Sequence, residues 1–475
     1  MQVKREYTGL LVCFLAVAFI LHSCASYNRQ AADYYSNLKE GNYEEAGKAL
    51  DNNKLLGKNR NQLLFLLERG KICHLLQQYD SSNNYFNDAD RMMEDARTSA
   101  KDIVFGSLIN PMMQSYKGED FEKYLIHYYK TLNYLQLGKP AEALVESRRI
   151  TLRTYTQEDK LGDKQRYSED AFSYILQGMI YETDGDMNNA FIAYRNAVDL
   201  YLKHKGEYYG TVMPEQLKGD LLRTASLNGF VDELTRYEHL LDTVYSAVEP
   251  SAGGELVLFW ENGSAPVKYQ QDIHFSLIKN DENRYFFSGN GMQVPFDPSA
   301  GYDQNQLKLE NLRSLRIAVP VYRSMPMIFT CAQAELNGRQ FPMERAEDIN
   351  TLAIFTLRER AVKELSSTLT RLAIKKMTEA AVRPEKKDDK DDDKNDKGKK
   401  GRIALAFGLQ VFNFASEKAD TRNWQSLPHT IYYTRIPLAK GQNEVELRFD
   451  GDVSKTLRLS VPGKGGLQFR NICTL

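Results

Sequence analysis

The sequence predicts a mixed α+β chain in two parts: an N-terminal α-helical solenoid of repeats, then a β-rich, sandwich-like part interrupted by a helical insertion. Three observations lead there. Residues 30–245 carry helical periodicity and very few prolines. After Ser251-Ala252-Gly253-Gly254, a short hinge-like boundary, the pattern changes to runs such as ELVLFWENG and DIHFSLI, with Asn262-Gly263 and Asn337-Gly338 as turn signals. A long helical pattern and a charged run then separate two sets of such strands.

The N-terminus reads as an address. Lys4 and Arg5 precede an apolar run from Leu10 to Leu21, about a dozen residues, which suits a signal peptide and is short of the roughly 20 that a spanning helix needs. The run ends in Leu21-His22-Ser23-Cys24, which resembles a bacterial lipobox. That resemblance implies removal of residues 1–23 and lipidation of Cys24. The residue after Cys24 is Ala25 rather than Asp, and no acidic cluster follows, so the expected location is the periplasmic face of the outer membrane.

Residues 24–248 form the helical repeat part. The clearest unit is 170–201, where Tyr174, Gly178, Tyr181, Gly185, Ala190, Tyr194 and Ala197 fall at spacings that resemble a tetratricopeptide repeat. Gly178 and Ala190 are small where two helices of a hairpin cross closely, and Gly185 lies in the turn. The same frame places Gly70, Phe86 and Ala89 in a second unit and Tyr134, Gly138 and Ala143 in a third, with weaker units around Gly41 and Gly229. The turn positions Gly41, Gln77, Gly138, Gly185 and Gly229 are unevenly spaced, whereas a regular array keeps about 34 residues. The array is therefore irregular. Its Tyr and Phe stripes read either as core between helices or as an aromatic sugar platform on the concave face.

Residues 249–475 form the β-rich part. Alternation such as Val445, Leu447 and Phe449 gives one buried face. The helical insertion spans about 343–418, with apolar positions recurring from about Ala346 to Val382 and ending before Pro384. Residues 385–402 are a run of acidic and basic residues with no apolar side chain, which reads as a disordered tether. Ile403–Ala415 is apolar nearly all round but too short to span a bilayer; a buried helix and a segment touching membrane or partner are both open.

Composition narrows the function classes. Sixty-two basic against sixty-three acidic residues give a net charge of −1, so no global field attracts nucleic acid. Five cysteines in 475 residues do not make a disulfide scaffold; Cys73, Cys331 and Cys473 read as buried thiols. There is no G-x-S-x-G, H-E-x-x-H, GxGxxG, P-loop or C-x-x-C, and His74, His127, His204, His239, His274 and His429 show no ligand-type spacing. No cofactor, metal or catalytic residue is therefore expected.

Two groups of polar residues stand out. Glu122, His127, Glu146, Arg148 and Arg149 belong to one helix pair and are the candidates for partner binding, with a buried polar network as the other reading. Asp420, Thr421, Arg422 and Trp424 read as a structural polar corner.

The strings YKGEDFEKYLIHYYKTLNYLQLGKPAEALVESRRI (116–150), ENGSAPVK (261–268) and ADTRNWQSLPHTIYYTRIPL (419–438) together resemble a family of uncharacterised bacterial outer-membrane lipoproteins with tetratricopeptide-like repeats and a C-terminal β-rich domain. The resemblance implies no established activity and hints at cell-wall assembly. The expected function is that of a lipid-anchored periplasmic scaffold, non-catalytic, with an envelope protein as partner. A SusD-like carbohydrate-binding lipoprotein is the alternative, with carbohydrate possible but not favoured, and a hydrolase is a third class.

Overall fold

The computed structural model describes residues 27–98, 112, 114–161, 169–282, 284–289, 291–296, 314–359, 365, 369, 372 and 418–475. Cys24 and the signal segment, the charged run 385–402, Ile403–Ala415 and most of the helical pattern to Val382 lie outside the described residues.

The chain is a mixed α+β structure. Among the described residues a short helix, α1 (Tyr27–Gln30), leads into five antiparallel helix pairs stacked in chain order. They are α2 (Ala32–Lys39) with α3 (Tyr43–Asp51), α4 (Gln62–Leu75) with α5 (Tyr79–Thr98), and α6 (Asp120–Gln136) with α7 (Pro140–Leu161). Then come α8 (Ala171–Thr183) with α9 (Met187–Lys203), and α10 (Glu215–Leu227) with α11 (Val231–Leu240).

All five turns close in the same way. Gly41, Gln77, Gly138, Gly185 and Gly229 have φ of 77°, 59°, 68°, 76° and 70°. In each, the next residue's N–H reaches back to a carbonyl five residues earlier: Asn42 to Asn37, Gln78 to Cys73, Lys139 to Tyr134, Asp186 to Tyr181 and Phe230 to Ala225, at 2.8–3.0 Å. This is the Schellman closure, which needs a left-handed residue after the helix. Inside the pairs, a Cβ on Gly178 would meet the Tyr194 ring at 2.4 Å, and one on Gly70 the Phe86 ring at 2.6 Å. Those two contacts set the close crossings of α8 with α9 and of α4 with α5.

A small hairpin, β1 (Glu207–Tyr208) with β2 (Thr211–Val212), follows α9. The other strands among the described residues form three four-stranded sheets. The middle sheet has the order β10 (Glu344–Asp348), β11 (Thr430–Pro437), β3 (Glu255–Asn262), β14 (Leu467–Thr474), with β14 parallel to β3. The outer sheet has the order β13 (Lys455–Gly463), β12 (Gly441–Gly451), β8 (Phe329–Leu336), β9 (Arg339–Pro342). The third runs β6 (Met292–Phe296), β5 (Tyr285–Gly289), β4 (Val267–Lys279), β7 (Ser314–Arg323).

The middle sheet is buried on both faces, which explains why β3 reads as a continuous apolar run rather than an alternating one. Leu256, Leu258 and Trp260 face the outer sheet, packing with Val445, Leu447 and Phe449. Val257 and Phe259 face the helices, in one apolar core that extends from Tyr27 to Phe469. The helical and β-rich parts thus share a core, and three layers result: helix pairs, middle sheet, outer sheet. The apolar face of the third sheet, including Phe275 and Ile317, is covered by Leu365, Leu369 and Leu372.

Four readings of the sequence need correction. Ala346 does not begin a helix: it lies in β10, paired with β11 through a bulge between Arg345 and Glu347. The helix that follows, α12, covers 349–359, with the Asp348 carboxylate accepting the Thr351 N–H at 2.8 Å. The insertion accordingly starts after β10 rather than at 343. The Gly253-Gly254 pair is not a hinge, since a Cβ there would meet the Ala439 and Gly466 carbonyls at 2.2 and 2.1 Å; it is a close backbone crossing at the start of β3. Cys331 is exposed on the outer sheet, while Cys73 is buried.

Candidate functional site

A group of buried charged side chains meets at the seam between the helix pairs and the β-rich part. Its centre is Lys71 on α4 and Glu261 at the end of β3. Both side chains are wholly buried and form an ion pair. The Lys71 ammonium also donates to Tyr129 Oη at 2.8 Å, and Tyr128, Tyr129 and Asn471 donate to the Glu261 carboxylate at 3.3, 3.1 and 2.9 Å. Burial pushes Glu261 up, but Lys71 and these donors outweigh it and hold the carboxyl below its usual range. Beside them His74 hydrogen-bonds Asn133 Oδ1 through Nδ1 at 2.6 Å and Asn471 Nδ2 through Nε2 at 3.1 Å. Burial, reinforced by Lys71, lowers its pKa to about 4, so the ring is neutral near pH 7. A neutral ring donating through Nδ1 leaves Nε2 to accept from Asn471.

Next to this centre the irregular segment 419–428, which turns at 425–426, lies against α4 and α6. The Trp424 backbone N–H donates to Glu122 Oε1 at 2.7 Å, and the Gln425 N–H to Glu68 Oε1 at 3.1 Å. Glu68 also accepts from Tyr34 and Tyr35 at 2.8 and 2.7 Å. Glu122 accepts from Tyr116 and from the Glu119 N–H at 2.5 and 2.9 Å, closing a capping box on α6. Burial raises Glu68 to about 7 against four donors, Tyr34, Tyr35, the Gln425 N–H and the Ser426 hydroxyl, and burial with the Glu119 charge raises Glu122. The Trp424 ring packs on both Phe86 and Tyr129, with centroids at 5.7 and 5.8 Å, and those two rings stack on each other at 5.8 Å.

Arg422 is bound from both sides. It pairs with Asp420 at 2.6 Å and donates to Asn61 Oδ1, the Arg60 carbonyl and the Gln114 carbonyl at 2.8, 3.3 and 3.1 Å. Lys268 on β4 pairs with Glu119. Farther along, Arg435 on β11 joins Glu182 of α8 and Asp220 of α10, each at 2.8 Å, and Glu255 of β3. Burial raises Glu182, but Arg435 and Arg223 outweigh it and bring its pKa to about 2.

The predicted residues are placed as follows. Asp420, Arg422 and Trp424 come together in the seam, with Thr421 buried between them in sequence. Glu122 and His127 are fully buried and Glu146 nearly so, which withdraws them from any exposed recognition face. Glu122 points to the 419–428 segment, whereas His127 Nδ1 meets Glu146 Oε2 at 2.8 Å and Lys130 meets Glu146 Oε1 at 2.8 Å. Arg149 pairs with Asp90 of α5 at 3.2 Å, and Arg148 donates to Tyr181 Oη at 2.9 Å. The five residues therefore do not form one patch: Glu122, His127 and Glu146 are buried, Glu146 being paired within its own helix pair, while Arg148 and Arg149 are exposed and reach to the pairs on either side. The aromatic sugar platform is also corrected: Trp260 and Trp424 are fully buried, as are Tyr34, Tyr128, Tyr129 and Tyr194.

Sequence reasoning missed Glu68, Lys71, His74, Glu261 and Arg435. The signal was present in ELVLFWE and in LLFLLERGKI, where a charge interrupts an apolar run that a buried element needs. Such a charge is paired or absent. A cavity of about 10 Å3 lies on the same seam, lined by residues that include Asp170 and Glu347. Among the described residues no group of three His, Cys, Asp or Glu side chains is placed to hold a metal ion.

No family model matches the chain, and no curated protein matches it. Among solved structures, a Rap protein complexed with competence and sporulation factor is 13% identical over 46% of this chain and 55% of its own, with a TM-score of 0.29. The apo form of RapI is 11% identical over 49% of this chain and 58% of its own, with a TM-score of 0.32. MamA is 15% identical over 46% of this chain and 96% of its own, with a TM-score of 0.26. The chain thus spans less than two thirds of the first two, and the scores are too low to show a shared fold.

Proposed function

We propose that the chain is a non-catalytic scaffold for protein–protein interaction in envelope or cell-wall assembly, anchored through lipid on Cys24 at the periplasmic face of the outer membrane. The observation that carries the non-catalytic reading is the seam itself. Its buried carboxylates and cations bind one another and the chain's own 419–428 segment, so groups that would serve chemistry serve cohesion instead. Helical repeats commonly hold a partner along one face of the array, and here the face that carries Glu68 and Glu122 is already taken by the chain's own segment. An external partner would then meet the outer helix surfaces or the outer sheet. The lipid anchor rests on the Leu21–Cys24 string and the envelope role on the family resemblance. Tyr27, three residues after Cys24, is already in the core, so such an anchor would hold the body within about 11 Å of the lipid attachment.

The test is photocrosslinking in cells from exposed positions on separate faces: Val145 on α7, Val231 on α11 and Val453 after β12. One envelope protein captured from one face and not the others supports the reading. Equal capture of many proteins from every face, or turnover of an envelope substrate by the purified chain, overturns it.

A further inference from the structure

Four exposed cations lie where the described chain begins, close to Cys24. Arg29 is on α1, Lys54 and Lys58 are on the loop after α3, and Lys117 precedes α6. Hydrogen bonds bring these three stretches together. Asn53 Nδ2 donates to the Gln30 carbonyl at 3.0 Å, so the loop starts against the end of α1. The Tyr116 N–H donates to the Arg60 carbonyl at 2.8 Å, so the stretch before α6 lies against the end of the same loop. Arg422 fastens both, because its guanidinium reaches the Arg60 carbonyl, Asn61 Oδ1 and the Gln114 carbonyl. The loop itself is a built turn. Asn53 Oδ1 accepts the Leu55 and Leu56 N–H groups at 3.0 Å each, the Gly57 N–H returns to the Asn53 carbonyl at 2.9 Å, and Leu55 and Leu56 are buried.

We propose that Arg29, Lys54, Lys58 and Lys117 form a membrane-facing patch that lies on the anionic headgroups of the bilayer and fixes which side of the body turns towards it. The patch rests on the reading of a lipid anchor at Cys24 for its place beside the membrane.

Among the described residues none of the four cations is held in an ion pair. The acids around them are already matched: Asp51 with Arg69 at 3.4 Å, Glu119 with Lys268, and Asp420 with Arg422 at 2.6 Å. Asp33 on α2 is the exposed acid next to Arg29 in sequence. Four cations against one acid leave an excess of positive charge, which suits the phosphate groups of lipid. Arg29 is also near enough to reach them. It follows Cys24 by five residues, so even a fully extended linker keeps its backbone within about 18 Å of the attachment point. Acyl chains on Cys24 would hold the body at the bilayer without setting its orientation. Charge can set it. The chain as a whole has a net charge of −1, so attraction to anionic lipid is local to such a patch and turns the body rather than merely drawing it in.

The test is cosedimentation with vesicles, using residues 24–475 with Cys24→Ser, which keeps every described residue and carries no lipid of its own. At low salt this chain should bind vesicles of equal parts phosphatidylcholine and phosphatidylglycerol and not phosphatidylcholine alone. It should come off at about 1 M salt, where the screening length falls to about 3 Å. Each cation near an anionic surface strengthens binding by about fivefold, so Arg29→Gln, Lys54→Gln and Lys58→Gln together should weaken it by on the order of a hundredfold. The same loss of charge at Lys440, Lys455 and Lys464, exposed at the outer sheet, should leave binding unchanged. Lys58→Gln with Lys117→Gln serves in the same way if the triple variant fails to fold. No binding to the anionic vesicles, equal binding to both kinds, or equal loss in the two triple variants overturns the patch. Palmitate labelling at Cys24 tests the anchor separately: vesicle binding without labelling keeps the patch and removes the anchor, and labelling without vesicle binding does the reverse.

Discussion

The backbone N–H of Trp424 is held by the side chain of Glu122, 302 residues earlier in the chain, at 2.7 Å. The same carboxylate takes Tyr116 Oη and the Glu119 N–H, so one buried side chain caps a helix and seats the segment that crosses it. Glu122→Ala would strand three buried donors. Each unpaired group costs about 1–3 kcal/mol, so urea unfolding should show a loss of at least about 3 kcal/mol. A change under about 0.5 kcal/mol, the size of a surface substitution, would mean that water replaces the carboxylate.

Lys71 and Glu261 make a wholly buried ion pair. Lys71→Met should cost about 3–5 kcal/mol because it leaves Glu261 charged in a dry site. Adding Glu261→Gln should recover much of that loss. A double-mutant cycle on denaturation midpoints checks it, and additive losses would show the pair is not coupled.

Gly178→Leu drives a side chain into the Tyr194 ring, which a mere Cβ would already meet at 2.4 Å. Overpacking of this kind typically costs about 1–3 kcal/mol. Thermal melting should fall accordingly, and a neutral result would show that α8 and α9 can separate without loss.

Two opposite pH arms are expected. Glu146 and Glu182 are held at about 2, below the ordinary 4.5, so they stabilise the fold above about 4.5 and lose that contribution as pH falls toward 2. Glu68 is raised from 4.5 to about 7 by burial. Its contribution is full below 4.5 and is lost as pH rises to 7, on the order of 3 kcal/mol. Melting temperature against pH should therefore rise from pH 2 to about 4.5; above that, the loss at Glu68 is opposed by His74, whose ring, lowered from 6.5 to about 4 by burial, must stay neutral and so favours the fold more as pH rises to 6.5. Glu68→Gln removes only the loss, so the variant should gain melting temperature between about pH 4.5 and 7 relative to wild type; an unchanged difference across that window would show that the donors keep Glu68 ionised throughout.

Cys24→Ser should abolish palmitate labelling and release the chain from the membrane fraction. Undiminished labelling of that variant would end the lipoprotein reading.

How much was legible follows from the range of the physics involved. Turns are local, so Gly41, Gln77, Gly138, Gly185 and Gly229 could be picked out one by one, and each has the left-handed conformation. Close crossings such as Gly178 on Tyr194 are also short in sequence. The strand runs showed through their period, but β10 did not, since Glu-Arg-Ala-Glu-Asp has helix-forming composition and is extended only because β11 pairs with it. The seam was illegible for a different reason. Lys71 with Glu261 and Glu68 with Gln425 are 190 and 357 residues apart, and one sequence holds no distance information across such gaps. For the same reason Glu122 and Trp424 could each be named, in separate groups, while the bond between them, 302 residues apart, could not.

The filling of the array by the 419–428 segment also bears on how the chain is made. Ribosomes deliver the N-terminus first, so the helix pairs exist long before Trp424, Arg435 and β14 emerge. Until then Glu68 and Glu122 lack the Gln425 and Trp424 N–H groups, and Glu261, the partner of Lys71, sits on a strand whose neighbours β11 and β14 are not yet made, so charges meant for a dry seam must stay in water. The last steps of folding thus unite the two ends of the chain, a non-local event of the kind that slows folding and exposes intermediates to aggregation. A chain stopped short of residue 419 would be an unfinished core rather than a smaller protein.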